Sequence, residues 1–491
     1  MTIAAKERVL NINTINPLIK NVEYAVRGKL AIRAEEIRSD LEKGQGKYGF
    51  DRVVSCNIGN PQQLNQTPIT FFRQVASLCD NPDLLKKENL ALVSQLYPSD
   101  AITRAQTLLK SIGSVGAYSH SQGVPHIRDT VAQFIKERDG GHASDASHIF
   151  LTQGASSGVQ TLLSMLTENE HSGIMIPIPQ YPLYSATLAL YGAVPVNYYL
   201  DETTGWSLDI AQLTESVTSA RKQGTDVKAL VIINPGNPTG QCLTAENLKE
   251  IITFCYEQRL VLLADEVYQT NIYEPETRPF VSFKKALMDH PSAEVREGVE
   301  LVSFHSISKG MVGECGRRGG YFECVNLDSQ VLDQIYKMSS VSLCPNLHGQ
   351  ILVDLMCNPP RVGEASYESY SNEIKTIYES LRRRSKKLED VFNKMEGVSC
   401  QSAQGSMYLF PQVTLSQKVV DAAAKEGLAP DAYYSHAMLE ATGVCVVPGS
   451  GFGQKENTWH FRSTFLPEEH LFDQFCSGIE KFHSDFLQKH V

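Results

Sequence analysis

The 491-residue sequence predicts an α/β fold: a large domain with a mainly parallel sheet covered by helices, and a smaller α+β domain built from both termini. Three observations predict it. The middle of the chain alternates short, near-continuous apolar runs with helix-period segments. Polar residues with chemical potential stand just beyond several of those runs. The flanks differ from the middle, carrying helix patterns and only brief strand patterns. Apolar strands joined by helical crossovers are buried on both faces, as in a parallel sheet.

In chain order, residues 149–151 read as a strand, followed by Thr152-Gln-Gly-Ala-Ser156 and a helix carrying Val159, Leu162, Leu163 and Leu166. Residues 174–178 read as a strand and 184–191 as a helix. Residues 229–233 form an apolar strand, and 244–259 an amphipathic helix with Thr244 as N-cap. Two more buried strands follow, at 260–264 and 301–306. Before residue 114 there are several helix patterns and the loop 57–61. Beyond Cys344 come a long charged helix, 367–395, and strand patterns at 407–410 and 444–447. The expected division is 1–114 as the amino-terminal arm and part of the small domain, 115–344 as the large cofactor-binding domain, and 345–491 as the rest of the small domain.

Composition narrows the function. The chain is 42% hydrophobic and 20% charged, an ordinary globular balance with ample material for a core. Its net charge of −10 argues against a nucleic-acid partner. The densest basic run, Arg382-Arg-Arg384 with Lys386 and Lys387, lies in a helix pattern and reads as a solvated face. Eleven cysteines, with no Cys-x-x-Cys pair and no Cys/His cluster, point to a reducing compartment and to no metal site. The first residues lack the apolar run of a signal peptide, and Lys6 and Arg8 beside Glu7 are too few for a transit peptide. The expected location is therefore cytoplasmic, with mitochondria or peroxisomes left open. No apolar run is long enough for a membrane span.

The chemistry concentrates in Ser306-Ile-Ser-Lys-Gly310, with Arg317 eight positions beyond Lys309. A lysine that bonds covalently to a phosphorylated aldehyde needs this setting, in which hydroxyls and a guanidinium hold the phosphate while the amine meets the carbonyl. Three further strings support it: Asn234-Pro-Gly-Asn-Pro-Thr-Gly240, Ala264-Asp-Glu-Val-Tyr268 and Phe461-Arg-Ser-Thr464. In a parallel sheet, ligands collect beyond the carboxyl ends of the strands. Asn237, Asp265, Tyr268 and Lys309 are therefore expected to converge on one rim. Asp265 closes an apolar strand and needs a partner, because an unpaired buried charge is costly. Asn237 also suits a plain turn. Gly154-Ala155-Ser156 opens a helix after a strand, where backbone N–H groups make an anion site.

These four strings, in this order, resemble the fold-type I pyridoxal phosphate aminotransferases. The stretches Tyr24–Gly28, Cys56–Pro61, Gly116–Gly123, Pro179–Tyr184 and Gly313–Tyr321 narrow the resemblance to the alanine aminotransferase family, and it runs from about Asn16 onward. The resemblance implies a fold-type I transferase with pyridoxal 5′-phosphate as cofactor and amino acids and 2-oxo acids as substrates. It makes Lys309 the cofactor-bonded lysine and the proton carrier at the substrate Cα. Asp265 pairs with the pyridine nitrogen, while Tyr268 and Asn237 hold the phenolic oxygen. Ala155, Ser156, Ser306 and Arg317 form the phosphate cup, and Tyr181 stacks over the ring. Arg462 takes the α-carboxylate by a bidentate pair, and Gly59 lets the chain approach it. Tyr118 reaches a neighbouring subunit's phosphate, which implies a homodimer. Arg27 is the candidate for a distal carboxylate.

The leading expectation is transfer of the alanine amino group to 2-oxoglutarate, giving pyruvate and glutamate. Glutamate:glyoxylate transfer is the alternative within the family. A lyase of the aminocyclopropane carboxylate synthase type shares the lysine, aspartate and arginine, and a cofactor-binding regulator without turnover ranks last.

Overall fold

The computed structural model describes residues 9–46 and 48–490. Lys6 and Arg8, which bear on the targeting expectation, lie outside the described residues. The centre is a seven-stranded sheet. Its strands are β1 (Ile149–Thr152), β2 (Ser172–Ile178), β3 (Val194–Tyr199), β4 (Asp226–Ile233), β5 (Val261–Asp265), β6 (Leu301–Ser306) and β7 (Gly320–Val325). They lie in the order β1-β7-β6-β5-β4-β2-β3. All neighbours pair in parallel except β7, which runs antiparallel to both β1 and β6.

Alternation along each strand explains the continuous apolar runs. Ile174, Ile176, Ala229, Val231 and Leu263 point to a cluster beneath helices Ala155–Leu166 and Leu183–Tyr191. Met175, Leu230, Ile232, Leu262 and Ala264 point the other way, onto helices Ile210–Lys222 and Ala245–Gln258. The second of these helices is capped as expected: Thr244 accepts from the N–H of Asn247 at 3.2 Å. Two strands escaped the sequence reading. The edge strand β3 contains Pro195 and alternates burial instead of forming an apolar run. β7 hides behind the glycines and arginines of the 313–321 stretch.

The two termini fold together. Residues Val54–Ser55 pair in parallel with Val444–Cys445, and helix Lys29–Glu42 packs Leu30, Ala34 and Ile37 against Leu439 and Cys445. The expected single strand at 444–447 is split, because Val447–Pro448 pairs instead with Phe461 and Arg462. Tyr408–Leu409 completes that three-stranded sheet from the other side of 461–464. Helices Thr70–Asp80 and Ser99–Ile112 do not join this unit. They share a core with Ile149, Leu151, Tyr321 and helix Leu347–Cys357. A boundary at 114 would cut that core, so we propose a division in the sixties instead.

The basic run of the long helix Tyr367–Lys394 is not wholly solvated. Arg384 is buried and donates to the carbonyls of Leu466 and Pro467 at 2.6 and 2.7 Å. Arg383 pairs with Glu469 on the surface.

Candidate active site

The carboxyl ends of β4, β5 and β6 form one rim. Ile233 pairs with Asp265, and Asp265 with Phe304, so the segments leaving these strands emerge side by side. Asn237, Asp265, Tyr268 and Lys309 all leave from this rim, and all but Lys309 are buried.

Asp265 ends β5 with its carboxylate inside the protein. It accepts the Tyr184 hydroxyl at 2.8 Å and the Val267 N–H at 3.4 Å. Burial pushes its pKa up to about 6, against the pull of those two donors and of Lys309. Among the described residues it makes no ion pair. A buried carboxylate held only by neutral donors suits a protonated ring nitrogen.

Lys309 follows β6 on a loop held by Asn271, whose side chain accepts the Gly310 N–H at 2.8 Å. Gly310 has φ 67, and a Cβ there would strike the Thr270 hydroxyl. The Lys309 Nζ donates to the Gly59 carbonyl at 2.8 Å and lies 5.9 Å from the Tyr268 ring centroid. Gly59 must be glycine, since a Cβ would run into the Tyr408 hydroxyl and come within 3.1 Å of Nζ.

Arg462 comes from the small domain and is 1% exposed. Its Nη1 donates to Asn237 Oδ1 at 2.9 Å, and its Nη2 donates to the Asn57 carbonyl. The guanidinium lies over the Tyr408 ring at 4.0 Å and the Phe452 ring at 4.7 Å, and its Nε has no hydrogen-bond partner among the described residues. Asn237 thereby links two expected roles, because its Nδ2 also donates to the Tyr268 hydroxyl at 3.4 Å.

Helix Ala155–Leu166 begins beside this rim without a side-chain cap, after Gly154 at φ 83. Its first N–H groups, Ser156 among them, are free for an anion. Gly320 leaves room there, since a Cβ would come within 3.0 Å of the Ala155 nitrogen. Ser306 is buried, with its hydroxyl accepting the Ser308 N–H at 3.2 Å. The neighbouring arginines differ. Arg318 is committed to the carbonyls of Cys315 and Gln153 at 2.7 and 3.0 Å. Arg317 has no side-chain partner among the described residues.

Tyr181 lies across the rim, its hydroxyl 2.5 Å from that of Tyr24. Tyr118 is 78% exposed. Arg27 is exposed on the turn Ala25–Arg27 and lines a cleft with Asn57 and Gln63. Two residues were missed by sequence reading: Tyr184, the hydroxyl on Asp265, and Tyr408, between Tyr268 and Arg462. Tyr184 sits inside a stretch already singled out. Tyr408 had no local signal, because its partners lie far away in sequence.

The set fits pyridoxal phosphate on chemical grounds. It provides a lysine amine, a buried unpaired carboxylate for a ring nitrogen, an uncapped helix start and an unpartnered guanidinium for a phosphate. Comparison with known proteins agrees. The model of the class I and II aminotransferases matches residues 85–479. The chain belongs to that family of enzymes, whose cofactor is pyridoxal 5′-phosphate.

A probable mitochondrial alanine aminotransferase of Dictyostelium discoideum is 52% identical, over 99% of this chain and 90% of its own length. Glutamate–glyoxylate aminotransferase 1 of Arabidopsis thaliana is 48% identical, over 98% of each chain. Among solved structures, the alanine aminotransferase of Pyrococcus furiosus superposes with a TM-score of 0.72 at 22% identity, covering 96% of this chain and 99% of that one. This last likeness concerns the fold.

Proposed function

We propose that the chain is an L-alanine:2-oxoglutarate aminotransferase acting by two half-reactions. The observation that carries this is the Asn237–Arg462 pair: a buried guanidinium beside Lys309 with an unpartnered Nε. Every substrate of the reaction carries an α-carboxylate, and a planar fork recognises it.

Bound at this rim, pyridoxal phosphate supplies an electrophilic aldehyde and a ring that accepts electrons. Ala155, Ser156, Ser306 and Arg317 hold the phosphate, and Asp265 keeps the ring nitrogen protonated. Tyr268 and Asn237 donate to the phenolic oxygen, and Tyr181 covers the ring face. Lys309 would move a proton from the substrate Cα to the cofactor C4′ in the first half-reaction, and from there to the acceptor's Cα in the second. Gly59 admits the substrate carboxylate beside the backbone.

Tyr118 belongs to a homodimer interface in this reading. Tyr118, Val341 and Leu343 are all exposed, and the Ser119 N–H donates to Cys344 Sγ at 3.4 Å, which brings their two segments together. Exposed apolar side chains brought together mark association surfaces. We place the enzyme in the cytoplasm: all eleven cysteines are free, which suits a reducing compartment. No described helix is long and apolar enough to cross a membrane.

The test is a panel of amino donors against pyruvate, glyoxylate and 2-oxoglutarate. Alanine with 2-oxoglutarate should give the highest kcat/KM. A preference for glutamate with glyoxylate would move the assignment to the alternative, which the Arabidopsis relative supports.

A further inference from the structure

Resting on the reading of Arg462 as the receiver of substrate carboxylates, we propose that His460 is a positioning residue. Clamped between Glu202 and Gln454, it holds the strand that carries Arg462 against the large domain. His460 stands directly before the strand Phe461–Thr464, two residues from Arg462. Alternation sends these two side chains to one face and Phe461 to the other. Phe461 packs into the small domain on Phe392 and Tyr434, at centroid distances of 5.4 and 5.8 Å. His460 and Arg462 both reach the large domain, one at Glu202 and the other at Asn237. The strand is thus tied across the domain boundary at two points, and only Arg462 is offered to substrate.

The tie at His460 is built from both sides. The ring is 1% exposed. Its Nε2 lies 3.0 Å from Glu202 Oε2, and its Nδ1 lies 3.0 Å from Gln454 Oε1. Asp431 orients the Gln454 amide, because its buried carboxylate accepts from Gln454 Nε2 at 3.2 Å. Both ring nitrogens therefore face acceptors, and the ring satisfies both only as an imidazolium. It stacks on Phe410 at 4.8 Å, with the two planes 2° apart, and meets Trp206 edge-on at 5.7 Å. Phe410 in turn meets the Phe452 ring, over which the Arg462 guanidinium lies at 4.7 Å. Gly449 makes room for the junction, since a Cβ there would strike both Gln454 Oε1 and His460 Cβ.

Glu202 is fixed by the turn that follows β3. Asp201 caps this turn by accepting the Thr203 N–H at 3.0 Å. The Trp206 N–H closes it on the Asp201 carbonyl at 2.7 Å, with Trp206 at φ 63. A bulky side chain is strained in that conformation, and here packing on Phe410 and His460 holds it. Without Glu202 the strand keeps its pairing with Val447–Pro448 but loses one of its two ties. Arg462 is then less well aimed, and a bidentate pair depends on aim. The cost should fall on carboxylate binding, with proton transfer at Lys309 spared.

The test uses holoenzyme, with propionate as a carboxylate that cannot react, read as a competitor of alanine. Glu202→Ala removes the tie, and His460→Phe keeps the stack but removes both ring nitrogens. Each should weaken propionate about tenfold, the usual worth of one charged hydrogen bond. KM for alanine and 2-oxoglutarate should rise alike, with kcat within about twofold of wild type. The double variant should be no worse than either single one, because the two residues act as a pair. Normal propionate binding by Glu202→Ala overturns the proposal, as does a loss confined to kcat. Additive losses in the double variant overturn the pairing. Should the buried His460→Phe fail to fold, Glu202→Ala, at a partly exposed turn, decides alone. An Arg462→Lys enzyme that binds propionate like wild type sinks the site reading, and this inference with it. A weakened Arg462→Lys beside an unmoved Glu202→Ala sinks the inference alone.

Discussion

Asp265 and Glu266 are neighbours in the chain, both buried carboxylates, and they face different chemistry. Asp265 meets only a tyrosine hydroxyl and an amide N–H, plus the field of Lys309. Glu266 accepts the Phe283 N–H at 2.8 Å and has Arg138 at 3.9 Å. Arg138 is itself clamped by both oxygens of Asp139 at 2.7 Å. Further along, Lys284 pairs with Glu323 at 2.5 Å, both nearly inaccessible. Behind the rim, then, the fold buries cations and carboxylates together. On the rim it buries Asp265 and Arg462 without an ionic partner for either among the described residues. The difference separates charges that hold the fold from charges reserved for a ligand, since an unmatched buried charge persists where binding completes it.

The comparison can be broken at either side. The largest effect belongs to Lys309→Ala. Transamination should vanish together with the absorbance of lysine-bound cofactor, while cofactor still binds through the phosphate cup. Robust turnover by this variant would move the site elsewhere. On the structural side, Lys284→Met should cost about 3–5 kcal/mol of stability, because it strands Glu323. Denaturant melts check this; a loss below about 1 kcal/mol would mean that the rear network is not holding the fold.

The pH response of the cofactor-free protein sharpens the contrast. Asp265 has a folded pKa raised from 3.8 to about 6. The native state therefore holds that proton more tightly than the unfolded chain. The resulting stability is full below pH 4 and is lost as pH rises through about 6. Cofactor-free Asp265→Asn should gain on wild type by up to about 3 kcal/mol between pH 4 and 7. Thermal melts across that range read the gain, and parallel curves would contradict it. The same variant should bind cofactor yet exchange the substrate Cα proton slowly. The smallest effect is expected for Arg462→Lys. It keeps the charge but loses the fork, and should lower kcat/KM by about 2 kcal/mol for donor and acceptor alike. Weakening confined to five-carbon substrates would instead make Arg462 the reader of their distal carboxylate.

Much of this was legible in the sequence. The strands β4, β5 and β6 announce themselves because alternation buries both faces, leaving apolar runs that end at Asn234, Asp265 and Ser306. The helix after Gly154 and the Thr244 cap follow from local chemistry. What stayed hidden depends on distant approach. Tyr408 meets Arg462 across the small three-stranded sheet and Tyr268 across the rim, and nothing near residue 408 signals either approach. Arg384 looked solvated by its charge, yet it donates to the carbonyls of Leu466 and Pro467, 82 and 83 residues away. The sequence reading singled out Asp265 at the strand end and gave Glu266 no role; their environments show how the two differ.

The most direct measurement is to reduce the holoenzyme with borohydride, digest it, and locate the cofactor by mass spectrometry. The account predicts the pyridoxyl group on the peptide bearing Lys309 and on no other. Attachment to a different lysine, or none at all with cofactor present, would contradict it.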